Sequence, residues 1–130
     1  GHAAEVYTLA FTPDCKYLIS GSRDGTIGVW DFNNATLYHR FETKDKKSVL
    51  SLVVTQDSST IYSDYGREIS AWSIKNKKAE DPFKLELNLA HDVVLTLINE
   101  DKSLVRVSER KLELIDLNKK ERISQFVHTH

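Results

Sequence analysis

Residues 18–32 read LISGSRDGTIGVWDF, and the three residues at the centre decide how the rest folds. Arg23-Asp24-Gly25 separates two short runs rich in β-branched and aromatic residues. Asp-Gly supplies the positive φ that a tight hairpin needs. The spacing therefore predicts a strand ending near Ser20, a turn, and a strand over Thr26–Phe32. Upstream, Val6, Leu9 and Phe11 form one more short apolar run. Thr12-Pro13-Asp14 makes the turn that joins it to Tyr17–Ser20. Downstream, TLYHRFE at 36–42 reads as a fourth strand. No helical periodicity competes with these runs.

The same order returns. SVLSLVV at 48–54 lines up with EVYTLAF at 5–11, 43 positions earlier. Gln56-Asp57 falls where Pro13-Asp14 fell, Ile61-Tyr62-Ser63 falls on Leu18-Ile19-Ser20, and Trp72 falls on Trp30 after the loss of one turn residue. A third copy follows: VVLTLI at 93–98, a turn at Glu100-Asp101, a strand from Leu104, and LELIDL at 112–117. Ile115-Asp116 takes the place of Trp30-Asp31. Four antiparallel strands recurring at a period of about 43 residues are the signature of propeller blades. The expected fold is all-β: three four-stranded antiparallel units at about 1–42, 43–90 and 91–130. Three blades leave the ring incomplete unless more blades or a second copy complete it.

Composition narrows the function. The chain has 130 residues, 40% apolar and 28% charged, with a formal net charge of −1. No excess of positive charge recommends a nucleic acid or an anionic membrane as the partner. No run approaches the roughly 18 apolar residues that a membrane-spanning helix requires. The single cysteine, Cys15, excludes an internal disulfide and fits a reducing compartment. No P-loop, dinucleotide-binding glycine pattern or paired cysteines appear, so no cofactor and no metal is expected. His128 and His130 are too weak a pair to assign a metal. His39 reads as a surface residue. The chain has no methionine, initiator included, which fits a fragment.

Gly1-His2 ahead of the first strand and Trp30-Asp31 closing the third resemble the WD-repeat family. The resemblance covers the whole chain, is strongest over 1–32 and fades towards the C-terminus. It implies a buried chain of hydrogen bonds through His2, Ser20, Asp24 and Trp30. Such a chain is physically reasonable, because a buried indole N–H needs an acceptor and a fully satisfied network fixes one arrangement. His2, Ser20 and Asp24 also have the residue types of a hydrolytic triad. No Gly-x-Ser-x-Gly elbow or oxyanion hole accompanies them, so the architectural reading is preferred and the chain is read as a non-enzyme. The later units depart from the pattern: Gly66 lies near the expected Asp, Arg106 near the expected Ser, and Asp45 or His91 near the expected His. They are expected to rest on apolar contacts.

The resemblance further implies a protein–protein scaffold within a multiprotein complex. The implied contact residues are Glu5, Tyr7 and Arg23 in the first unit, Ser48, Leu50 and Tyr65 in the second, and Asp92 and Val94 in the third, beside a turn near Glu109. Other proteins are the expected partners, together with further blades of a parent chain or a second copy. An RNA or nucleoprotein-associated assembly factor is the alternative, through Lys44, Lys46, Lys47 and Lys102. The segment NKKAEDPFK at 76–84 reads as a solvated loop.

Overall fold

A computed structural model describes residues 4–43, 46–80, 85–86, 92–109 and 111–127. Three antiparallel sheets follow one another along the chain. Blade 1 is built from β1 (Val6–Phe11), β2 (Tyr17–Ser22), β3 (Thr26–Asp31) and β4 (Thr36–Glu42), in that order. Blade 2 holds β5 (Ser51–Val54), β6 (Thr60–Asp64), β7 (Glu68–Ser73), β8 (Lys78–Ala79) and β9 (Leu85–Glu86). Blade 3 holds β10 (Val94–Ile98), β11 (Ser103–Val107), β12 (Lys111–Asp116) and β13 (Glu121–Val127). No α-helix appears among the described residues.

The repeat is exact in register where it matters. Leu18 pairs with Trp30, Ile61 with Trp72, and Leu104 with Ile115. One expectation needs correction: Lys78 and Ala79, read as loop, form β8 against Trp72 and Ser73. The fourth position of blade 2 is thus taken by two short pieces, β8 and β9, both paired with β7.

Because side chains alternate across a strand, each sheet has two faces. Ile19, Ile27, Val29 and Phe41 of blade 1 meet Leu52, Ile61, Trp72 and Ile74 of blade 2 in one buried cluster. Ile69 and Ala71 on the other face of blade 2 meet Leu95, Leu104, Ile115 and Leu117 of blade 3 in a second. The blades therefore stack face to face, and the two clusters are the two seams.

Two glycines show why blade 1 accepts this geometry. Gly25 adopts φ +84° in the β2–β3 turn, and a Cβ there would lie 2.5 Å from the backbone of Lys46. At Gly21 a Cβ would come within 2.5 Å of Cγ1 of Val49, so the first seam closes directly onto backbone.

The far ends of the blades are tied by side chains. Oγ1 of Thr12 donates to the Asp14 carboxylate at 2.6 Å, and Thr55 does the same to Asp57 at 2.6 Å. The Asp14 amide donates to Oγ of Ser58 at 3.1 Å, and the Gln56 amide to Oδ2 of Asp101 at 2.6 Å, which links the turns of successive blades. The Thr12 hydroxyl and the Lys16 amide hold the Asp14 carboxyl below its usual range, and the Ser59 and Thr55 hydroxyls do so for Asp57. A depressed carboxylate contributes stability above its unfolded pKa and loses it as pH falls through the folded value. The Asp14→Asn/Asp57→Asn variant is expected to be less stable at neutral pH, and its melting temperature should fall less steeply below about pH 4. Parallel acid curves for variant and parent would refute this.

Candidate partner-binding face

The blade interiors hold the rim residues in place. In blade 1 the Trp30 indole Nε1–H donates to Oγ of Ser20 at 2.8 Å. Asp24 lies across the turn, where Oδ1 accepts from the Thr26 amide at 2.9 Å. His2 lies outside the described residues. Trp30 itself is half-buried, on a face of blade 1 that no other described blade covers, rather than sealed indoors.

Blade 2 repeats the bond and buries it. Nε1 of Trp72 donates to Oγ of Ser63 at 2.8 Å, and Ser63 shares a 2.6 Å bond with the Tyr65 hydroxyl. The indole packs at 5.0 Å from the Phe41 ring of blade 1. Tyr65, expected as a surface contact, is therefore turned inward. Burial pushes its phenol up in pKa, while hydrogen bonds with Ser63 and Ser70 pull it back.

Blade 3 places Arg106 at the register of Ser20 and Ser63, and Glu113 opposite it. Nε of Arg106 donates to Oδ2 of Asp64 in blade 2 at 2.6 Å, and Nη1 to Oε1 of Glu113 at 3.0 Å. Nη2 donates to the Gly66 carbonyl at 2.8 Å, and Arg122 reaches the second Glu113 oxygen at 3.4 Å. Arg106, Asp64 and Glu113 are all essentially sealed from solvent. Burial pushes the Asp64 carboxyl above its usual range, and the guanidinium opposes that. Burial also works against the Arg106 cation, but Asp64 and Glu113 outweigh it and hold its pKa high. The guanidinium stays charged at any ordinary pH, so we treat the set as ionic. The expectation that blades 2 and 3 rest on apolar contacts is corrected here. The signal was legible: two charged residues at inward registers of adjacent strands, with Asp64 two residues before Gly66.

The rim lies at the end that carries the β2–β3 turn and the entry to each blade. Arg23 and Glu5 form an exposed ion pair at 3.5 Å. Oγ of Ser48, entering blade 2, donates to the Arg23 carbonyl at 3.0 Å. Lys47 faces Glu68 at 3.8 Å, and the Asp92 amide donates to Oε1 of Glu109 at 3.4 Å. Tyr7 sits at a β-bulge, since Val6 pairs with Ser22 and Thr8 with Gly21, and its ring is 50% exposed. Bulges commonly re-aim a side chain next to a functional surface.

Not every expected contact residue joins this rim. Leu50 is half-buried against the second seam. Val94 begins β10 on the same face as Val107, not among the turns. His39, expected on the surface, is half-buried, its ring 4.5 Å from Phe41, and burial lowers its pKa. The lysines of the RNA reading do not converge. Lys46 stacks on the Gly25 turn at the rim end. Lys102 occupies the β10–β11 hairpin at the opposite end, where its carbonyl accepts from the Leu117 amide. Lys44, His91 and the His128–His130 pair lie outside the described residues.

Sequential four-stranded sheets, stacked face to face with one register throughout, define the molecule as a run of β-propeller blades. Residues 1–31 match the family described as "WD domain, G-beta repeat". The match covers blade 1 alone, while the fold of the whole chain is that of three consecutive propeller blades. The chain is 36% identical over 63 residues to Ribosomal RNA-processing protein 9 of Saccharomyces cerevisiae, covering 48% of this chain and 11% of that protein. It is 41% identical over 46 residues to Pre-mRNA-processing factor 17 of Homo sapiens, covering 35% of this chain and 7% of that protein. A solved structure of the RRP9 WD40 repeats superposes with a TM-score of 0.81 at 17% identity, over 100% of this chain and 40% of that one. The chain thus spans a small part of the curated relatives it matches and less than half of the solved propeller.

Proposed function

We propose that the chain is a non-enzymatic protein–protein interaction scaffold within a multiprotein complex. Its partner is bound at the rim formed by Glu5, Tyr7, Arg23, Ser48 and Asp92. The observation that carries this reading is the bulged Tyr7 beside an Arg23 whose backbone is pinned by Ser48 of the next blade. Tyr and Arg are among the side chains that most often dominate binding energy, and a rigid platform lowers the ordering cost of binding. The four-residue relay through His2, Ser20, Asp24 and Trp30 is read as architecture: the indole N–H donates to the Ser20 oxygen, and no Gly-x-Ser-x-Gly elbow surrounds that serine.

The names of the relatives favour one setting. They are processing factors for ribosomal RNA and pre-mRNA, which supports an RNA-processing assembly inside the cell as the place of work. Because Lys46 and Lys102 sit at opposite ends, the reading is one of protein contacts within such an assembly rather than a lysine track for RNA.

The test is the Glu5→Ala/Tyr7→Ala/Arg23→Ala variant, compared with the unsubstituted parent. The exposed Glu5–Arg23 pair contributes little to folding, so the melting temperature should hardly move. At least one protein that co-purifies with the parent should lose affinity by about tenfold or more, as expected for removal of anchor side chains. Unchanged recovery of every partner would remove this rim from consideration.

A further inference from the structure

The buried ionic set grips a turn at the rim as well as joining two blades. Gly66 takes φ +96° between β6 and β7. Its amide donates to Oδ1 of Asp64 at 2.7 Å, and its carbonyl accepts from Nη2 of Arg106 at 2.8 Å. The Tyr65 amide closes the turn on the Glu68 carbonyl at 3.0 Å. Arg67 is the exposed residue of this turn. The backbone that presents it is therefore fixed in advance, which lowers the ordering cost of any contact it makes.

The connector between blades 1 and 2 is fixed too. Oγ1 of Thr43 donates to the Lys47 carbonyl at 3.1 Å, the Lys46 amide to the Thr43 carbonyl at 3.2 Å, and the Val49 amide to the Ser22 carbonyl at 3.0 Å. Ser48 ties this connector to Arg23, and Lys47 reaches Glu68, so both turns and the connector make one continuous rim over the first seam. Arg23, Lys46, Lys47 and Arg67 are exposed along it, with Glu5 and Glu68 as the facing carboxylates. Those two pairs, at 3.5 and 3.8 Å, are loose and solvent-facing, and such pairs exchange partners at little cost. Lys46 and Arg67 have no ion-pair partner among the described residues. Asp24 turns its carboxylate into its own hairpin, onto the Thr26 amide. Arg40 and Glu42, further out on β4, offset each other in charge. At the entry to blade 3 the sign reverses, with Asp92 beside Glu109.

We propose that the rim over the first seam docks an acidic peptide segment of the partner, with Lys46, Lys47 and Arg67 joining Arg23 as contact residues. This rests on the rim reading given above and adds the chemical class of what binds there. Complementary charge steers the segment to the first seam, and Asp92 and Glu109 repel it from the second, so its run of carboxylates ends over blade 2. A nucleic-acid backbone fits less well, because the cations alternate with Glu5 and Glu68 and do not form an unbroken phosphate track.

Fluorescence anisotropy tests this on the chain with short labelled peptides in which glycine alternates with glutamate, glutamine or lysine, and with labelled oligouridylate. The glutamate peptide is expected to bind about tenfold more tightly than the other peptides. Its affinity is expected to fall about fivefold between about 0.05 M and about 0.5 M ionic strength. Lys46→Glu/Arg67→Glu is expected to weaken it about tenfold at an unchanged melting temperature, since both side chains are exposed. Lys102→Glu/Lys119→Glu makes the same charge change at the opposite end and is expected to bind like the parent. Equal binding of the three peptides, equal losses in the two double variants, or oligouridylate binding more tightly than the glutamate peptide would overturn the proposal. The two readings fail separately. Partner loss in the Glu5/Tyr7/Arg23 alanine variant without preference for the glutamate peptide removes the acidic class and keeps the rim. Preference for that peptide with every partner retained by the alanine variant removes the rim, and the proposal with it.

Discussion

Replacing Arg106 with alanine is expected to cost about 3–5 kcal/mol of unfolding free energy, the range for stripping one partner from a buried ion pair. Asp64 loses its 2.6 Å contact and Glu113 its 3.0 Å contact, and both carboxylates stay in the interior. The Gly66 carbonyl loses its donor too. Chemical denaturation should show the deficit at neutral pH and a smaller one in acid. An unpaired buried carboxylate has a raised pKa, so stability returns as pH falls and the group takes up its proton. Arg106→Lys should rescue only part of the loss, since an ammonium cannot span three acceptors in a planar fork. Replacing Arg106, Asp64 and Glu113 together by apolar residues of similar volume should cost far less than the single change, because no charge is stranded. A loss below about 1 kcal/mol in Arg106→Ala would mean that the site is hydrated and not sealed.

The second large effect is expected at Trp72. Trp72→Ala should destabilise the chain by about 3–5 kcal/mol, as large core truncations do. The indole is 8% exposed, stacks on Phe41 across the seam, and holds Ser63 and Tyr65 in one chain of hydrogen bonds. Trp30→Ala offers the internal control. It removes the same side chain and the same 2.8 Å bond from blade 1, but the ring is half-buried, on a face that no other described blade covers. Its cost should be clearly smaller in the isolated chain. Equal losses at the two positions, read from parallel denaturation curves, would show that burial against the preceding blade is not what gives the tryptophan its weight.

The strand order was legible because three signals agreed: the Asp24-Gly25 turn, the 43-residue period, and the pairing of Trp72 with Trp30. What alternation could not show was which face of each sheet has a neighbour. Trp30 and Trp72 look alike in sequence, yet among the described blades it is Trp72 that has one in front of it. The resemblance puts Tyr65 among the contact residues; the shortened turn of blade 2 instead lets its hydroxyl reach back to Ser63. Arg106 stands out in sequence as a misfit for serine, but nothing local points to its acceptors. One of them, Asp64, is 42 positions away on another blade. The rim was readable in blade 1, where Glu5, Tyr7 and Arg23 stay at the surface. It was less so in blade 3, where Val94 turns to the face of Val107.

The ionic set also fixes which blades can be neighbours. Arg106 of blade 3 is matched to Asp64 of blade 2, so moving blade 3 beside a blade without that carboxylate would strand its cation in the interior. The pair works as an address that seats blade 3 beside blade 2.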